Sequence, residues 1–267
     1  MIKRSEYYEY LTEADQIKGG WHFEHENGGN NDWTAGIGTR RALQLARTGD
    51  PSMVKATEEM IDKFEVNQEV DRVFKSVPGF VGAVNVGAYL SGSPTCMRQR
   101  ARVDLAARHV NVYVNVSTSC GVKVSTGLRR GAAIVGLLDA IQKAGLGLTV
   151  HVIAEFDGDG GDGTGDQYHL ITLPAPLDLS VMSFALAHPA FDRCITFPMG
   201  GKWGFTSGWP RSHRQLGGSY DARYHDFLKK TLEMGPRDIY VPAAYLDDRL
   251  VKNPEQWIRD TVTQILT

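Results

Sequence analysis

The sequence predicts an α/β fold, a doubly wound and mostly parallel sheet preceded by a mainly helical N-terminal extension. Two observations carry this. From Arg108 onward, short β-branched runs alternate with segments of helical periodicity, as expected of strands joined by crossover helices. Before that point the chain shows helical patterns, Gly/Asn-rich and aromatic segments, and few strand signals. The expected division is therefore a helical, loop-rich region over 1–105 packed on a sheet domain over 106–267.

Within the N-terminal region, helical spacing covers Ser5 to Gln16, Thr39 to Ala46 and Pro51 to Phe74. Gly19 to Gly38 is the one soft stretch, and it still holds Trp21, Phe23 and Trp33 as anchors of an irregular loop. The sheet domain opens with a strand over 109–116, His-Val-Asn-Val-Tyr-Val-Asn-Val. A helix follows from Thr126 to Lys143 with Leu128, Ile134, Leu137, Leu138 and Ile141 on its apolar positions. Gly145 and Gly147 suit its C-terminal cap. Strands follow at Leu148 to Ala154 and Tyr168 to Leu173; joined only by an Asp/Gly loop, they form an antiparallel hairpin within the sheet. Asp178 caps a short helix through Met182, Phe184 and Leu186, and Cys194-Ile195-Thr196-Phe197 reads as a strand. Helix over Tyr220 to Met234, strand over Asp238 to Val241, and a closing helix from Pro254 to Leu266 complete the pattern, with Pro at the first turn.

Composition narrows the function classes. The 267 residues are 42% hydrophobic and 22% charged, enough apolar content for a sizeable core. Lys+Arg 29 against Asp+Glu 31 leaves a formal net charge of -2, so any polyanion must be met by a local patch. Cys96, Cys120 and Cys194 are odd in number and lack Cys-x-x-Cys spacing, which fits reduced thiols. The N-terminus shows no apolar signal-peptide run, and no window reaches the ~18 apolar residues of a membrane span. The expected location is cytoplasmic, with no membrane partner.

The 29 glycines cluster in contrasting settings. Asp157 to Asp166 places four carboxylates among glycines; it lacks the closing Glu of an EF-hand and the Lys-Ser/Thr of a phosphate loop, so it reads as a solvated hairpin tip. The second cluster, Gly200 to Arg214, interleaves Trp203, Phe205 and Trp209 with Lys202, Arg211, His213 and Arg214, and no acid falls between Asp192 and Asp221. Aromatic faces beside cations make a stacking platform for unpaired bases, each stack worth ~1–3 kcal/mol. Arg98, Arg100, Arg102 and Arg108 add a second positive cluster that could neutralise phosphates. The competing expectation is that the three aromatics tuck onto the N-terminal half and the arginines pair with surface carboxylates.

Asn115, Ser117 and Ser119 fall where the first strand of the sheet domain gives way to a helix, where open α/β sheets place their binding crevice. The spacing resembles the Asp-x-Ser-x-Ser metal-adhesion motif of von Willebrand factor A domains, within a matching succession of strands and helices from Arg108 to Thr267. More loosely, with Trp33-Thr34-Ala35-Gly36 and Gly92 to Met97 before the sheet, the whole chain resembles a group of phage-encoded proteins with such a half. The resemblance implies a divalent cation, Mg²⁺ or Ca²⁺, at Asn115, Ser117 and Ser119. Here Asn115 stands for the motif's Asp, and without that carboxylate a hard cation is weakly held. The alternative is that these residues cap the loop and the following helix through local hydrogen bonds.

No catalytic set stands out. His22, Glu24, His25 and Glu26 lack His-Glu-x-x-His spacing, no Gly-x-Ser-x-Gly elbow is present, and Cys120 has no basic partner assigned by sequence. The expected function is that of a non-enzymatic adaptor needing no cofactor. It would bind single-stranded DNA or RNA and a protein partner such as a polymerase, as a phage transcription or replication accessory. Two alternatives stand beside it: a purely protein-binding module, with or without a divalent metal, and a metal-dependent hydrolase using His22, His25 or the Asp157 loop.

Overall fold

The computed structural model describes residues 2–17, 34–63, 74–77, 83–84, 86–100, 109–118, 122–143, 146–156, 167–202, 229–244, 249–253 and 256–261. Strand β1 (Ile2–Glu6) leads directly into helix α1 (Tyr7–Asp15), followed by α2 (Thr39–Thr48) and α3 (Pro51–Lys63). Next come β2 (Phe74–Val77), β3 (Ala83–Val84), α4 (Val86–Leu90) and β4 (Met97–Arg100). The larger sheet then builds from β5 (His109–Asn115), α5 (Val124–Lys143), β6 (Gly147–Phe156) and β7 (Gln167–Thr172). Helices α6 (Leu179–Ala187) and α7 (Pro189–Phe191), a π-helical turn (Asp192–Thr196) and α8 (Phe197–Lys202) precede β8 (Ile239–Val241) and α9 (Arg249–Lys252).

The five-stranded sheet runs β1-β7-β6-β5-β8. Strands β6, β5 and β8 are mutually parallel, β7 is antiparallel to β6, and β1 lies parallel to β7. The expected hairpin is there, with Val152 opposite Ile171 and Ile153 opposite Leu170. The chain leaves β5 toward β6 on one side and returns to β8 on the other, so the order reverses between the carboxyl ends of β5 and β8. That is where a crevice forms in folds of this class.

Alternation along the strands gives the sheet two different faces. Val110, Val112 and Val114 of β5, Val150 and Val152 of β6, Ile171 of β7, and Ile239 and Val241 of β8 face one way. They join one core with Tyr10 and Leu11 of α1, Leu43 of α2, Leu137 and Ile141 of α5, and Phe184 of α6. The other face carries Tyr113, Ile153, Tyr168 and Leu170, covered in part by Leu232 and Met234. Gly131 lets α5 and α6 approach closely: a Cβ there would lie 2.0 Å from Cα of Ala187.

Three elements differ from the sequence expectation. Cys194 to Phe197 is not a strand but part of the π-helical turn and α8. Every residue from Asp192 to Phe197 is buried, and a short run buried on all sides has no periodicity to separate strand from helix. Local bonds settle it, because Thr196 Oγ1 donates to the Asp192 carbonyl (2.9 Å) and to Asp192 Oδ1 (2.7 Å). The fifth strand of the large sheet comes instead from Ile2–Glu6, whose one apolar residue gave no strand signal and whose charges suit a sheet edge. The helix expected from Ser5 therefore starts at Tyr7. A second, three-stranded sheet, β2-β4-β3, lies within the stretch expected to be mainly helical, with Phe74 in β2 rather than at the end of a helix.

Candidate functional site

At the carboxyl end of β5 the chain turns through Asn115, Val116, Ser117 and Thr118, and Asn115 and Ser117 are fully buried. Asn115 shares the sheet face of Tyr113, since each is two residues from the next. Its side-chain oxygen accepts the Ser117 backbone N–H (3.0 Å), closing an Asx-turn of the kind expected from local capping. Its amide nitrogen donates to Glu155 Oε2 of β6 (2.9 Å) and to the Tyr240 hydroxyl of β8 (3.3 Å). A single side chain thus ties together the ends of three strands.

Two charges are held in this network. Glu155 is buried and receives the Asn115 amide, while its own backbone N–H donates to Ser117 Oγ (3.4 Å). Arg130 of α5 is also buried, and one guanidinium nitrogen donates to the Asn115 carbonyl (3.2 Å) and to the Pro242 carbonyl. Asn115 therefore bonds to a carboxylate through its amide and to a guanidinium through its backbone. Burial, with the Glu155 charge adding to it, pushes the Tyr240 hydroxyl pKa up, so it stays protonated.

The π-helical turn closes the same loop from below. Asp192 accepts a bond from the Thr118 backbone, and burial lifts its carboxyl to about 6 against the opposing pull of Thr196, Arg193 and that backbone bond. On the β8 side, the Ser117 carbonyl accepts from Ala244 N–H (3.0 Å), and Thr118 bridges to Ala244. The loop is thus bonded to β6, β8, α5 and the π-helical turn.

The residues expected to hold a cation are only partly brought together. Asn115 and Ser117 belong to the network, and Ser119 lies outside the described residues. The Asn115 oxygen is engaged by backbone, and its amide hydrogens point at Glu155 and Tyr240. Among the described residues no group of three or more His, Cys, Asp and Glu is placed to hold a metal ion. His22, His25 and the Asp157 loop are outside the described residues.

Of the expected nucleic-acid residues, Lys202, Arg98 and Arg100 are described. Trp203, Phe205, Trp209, Arg211, His213, Arg214 and Arg102 lie outside the described residues. Lys202 ends α8, and its ammonium pairs with Glu13 of α1 (3.4 Å), which also pairs with Lys3 of β1 (3.7 Å). Lys3 is opposite His169, which is opposite Ala154, one residue beyond the partner of Asn115. Lys202 is thereby placed at the end of the sheet where β5 and β6 finish. The stretch 203–214 starts there, although a helix leads into it rather than a strand. Arg98 and Arg100 occupy alternate positions of β4, opposite Ser76 and Phe74 of β2.

Glu155, Tyr240, Arg130 and Asp192 escaped the sequence reading. A faint signal existed for two of the charged ones: Glu155 follows the apolar run Val150 to Ala154 apart from His151, and Arg130 precedes the small and apolar run Gly131 to Leu138. Charges in such places are seldom buried without partners.

Fold and site define an α/β protein with a mostly parallel sheet whose switch point is closed by a buried polar network. The chain belongs to the family of the domain of unknown function DUF7192, whose model matches residues 4–248 and so spans both sides of residue 105. Neither the comparison with characterised proteins nor that with solved structures gives a match. No helix among the described residues is long and apolar enough to cross a membrane.

Proposed function

We propose that this protein is a non-enzymatic recruitment protein that binds single-stranded nucleic acid and brings a protein partner to it. The observation that carries the reading is the position of Lys202, at the same end of the sheet as the Asn115 loop. The aromatic and basic stretch from Trp203 to Arg214 leaves from that point. Aromatic faces supply stacking and the cations neutralise phosphates, which together favour unpaired strands.

The likeness to a von Willebrand factor A domain belongs to the same proposal. It is supported by the parallel β5 and β6 joined through α5, the reversed β7 beside them, and β8 on the far side of β5. The adjacent edge strand β1 is an addition that the resemblance did not foresee. The bonds made by Asn115 favour a structural role for the motif over a cation site, and with it an adaptor over a metal-assisted module.

Fluorescence anisotropy with a labelled oligonucleotide tests the reading. Binding is expected to fall with salt, to favour single over double strands, and to weaken in Trp203→Ala and Arg211→Ala. No anisotropy change for the unmodified chain at low salt refutes it.

A further inference from the structure

The small sheet β2-β4-β3 contributes none of the bonds described at Asn115. Its stretch of chain has an unusual charge pattern: no Asp or Glu occurs between Asp71 and Asp104, while Arg72, Lys75, Arg98, Arg100 and Arg102 all fall within that interval. A chain with a net charge of -2 therefore concentrates cations in this stretch, with no acid among them along the sequence. Arg98 sits on the central strand, between Ser76 of β2 and Ala83 of β3, with Arg100 two residues on.

Apolar exposure falls on the same unit. Val84, Val86, Tyr89 and Leu90 are four of the five large hydrophobic side chains exposed among the described residues, Tyr89 at 65% and Leu90 at 77%. Helix α4 follows β3 after one residue, and the Gly92 N–H bonds back to the Tyr89 carbonyl (3.0 Å) where the chain turns toward β4. Gly92 takes a φ of 72°, open to glycine without strain, which permits that short return. Tyr89 thus lies in the stretch that links β3 to the strand that carries Arg98 and Arg100.

We propose that this small sheet is a second contact surface for single-stranded nucleic acid, with Tyr89 as a base-stacking residue and Arg98 and Arg100 as phosphate contacts. The inference rests on the nucleic-acid reading given above and adds a site to it. Charge selects the occupant: a stretch of chain that carries arginines and no acid favours a polyanion, and an exposed aromatic ring in the same stretch favours a polyanion with unpaired bases over a bare anionic surface. Duplex DNA, whose bases are already stacked, gains nothing from Tyr89.

The test uses the full chain and a labelled oligothymidylate, with anionic phosphatidylserine vesicles as the competing occupant. Tyr89→Ala is expected to weaken oligonucleotide binding roughly five- to a hundredfold and Tyr89→Phe to retain it, since the ring alone stacks. Arg98→Ala and Arg100→Ala should each weaken binding and lower the slope of log K against log salt by about 0.7. Leu90→Ser, at the most exposed of these positions, checks that a change here leaves the melting temperature in place. If Trp203→Ala weakens binding while Tyr89→Ala and the two arginine variants bind as the unmodified chain does, this second surface is refuted and the first stands. If the unmodified chain binds no oligonucleotide, both fall. If the Tyr89 and arginine variants lose vesicle binding but keep oligonucleotide binding, the surface serves a membrane and the proposal is overturned.

Discussion

Replacing Gly131 by Ala should destabilise the protein, whereas the same change four residues earlier on α5 should stabilise it. A Cβ at Gly131 meets Ala187 Cα and Cβ at 2.0 Å, and Ala187 N at 2.9 Å. Carbon atoms settle at about 3.5–4.0 Å, so α5 and α6 would have to part by roughly 1.5 Å. Both helices are anchored in the main core through Ile134, Leu137, Leu138, Val181 and Phe184, so parting them opens gaps on either side of the crossing. Overpacking of this kind costs about 1–3 kcal/mol, and a backbone atom in the way puts this case toward the top of that range. Alanine's helix propensity returns about 1 kcal/mol, leaving a net loss of about 2 kcal/mol. At Gly127 nothing lies within 4 Å of the added carbon, so only the propensity term remains. Urea titration and thermal melting measure both. For a chain of this size 1 kcal/mol moves the midpoint by about 2 °C, so Gly131→Ala should melt about 4 °C lower and Gly127→Ala up to about 2 °C higher. Ala187→Gly in the Gly131→Ala background should recover part of the loss with a coupling above about 0.5 kcal/mol. If Gly131→Ala is as stable as Gly127→Ala, the close crossing of α5 and α6 is wrong.

Asn115→Asp would restore the acid of the adhesion motif, but it removes the donor to Glu155 and sets two carboxylates together in a buried place. A loss of about 1.5–3 kcal/mol at pH 7 is expected, easing as pH falls because a protonated carboxyl can donate again. For the unmodified chain, millimolar Mg²⁺ or Ca²⁺ should leave the melting midpoint unchanged; a reproducible rise would show a cation held by the native state. His169 is fully buried beside Ser5 Oγ and Tyr10, and burial, then the Lys3 charge, pushes its pKa down to about 3. The unfolded imidazole binds protons near pH 6.5, so His169 stabilises the fold fully above that pH and loses its contribution as pH falls from about 6.5 toward 3. About 2 kcal/mol should be gone at pH 5, and denaturant melts at pH 7.5 and 5 that show no smaller pH effect in His169→Gln would contradict this. Asp178 accepts Ser180 and Val181 N–H bonds (2.8 and 3.0 Å) at the start of α6, so Asp178→Ala should cost about 1 kcal/mol by the same melts.

Elements whose pattern is local were legible in the chain without its fold. Alternation fixed β5 as a strand with one apolar face, helical spacing placed α5, and Asp178 marked the start of α6 through bonds to its own near neighbours. The position of Asn115 at a strand end was legible for the same reason. What the side chain does there was not, because Glu155, Tyr240 and Arg130 come from 40, 125 and 15 residues away and only the assembled sheet brings them to it. Tertiary structure likewise decided the edge of the sheet. Ile2–Glu6 has almost no strand character of its own and is extended because β7 offers it a row of unpaired backbone groups. It also decided Cys194 to Phe197, where burial on every side erased the periodicity that would have told strand from helix. Local patterning records which face of an element is buried; it does not record which distant partner buries it.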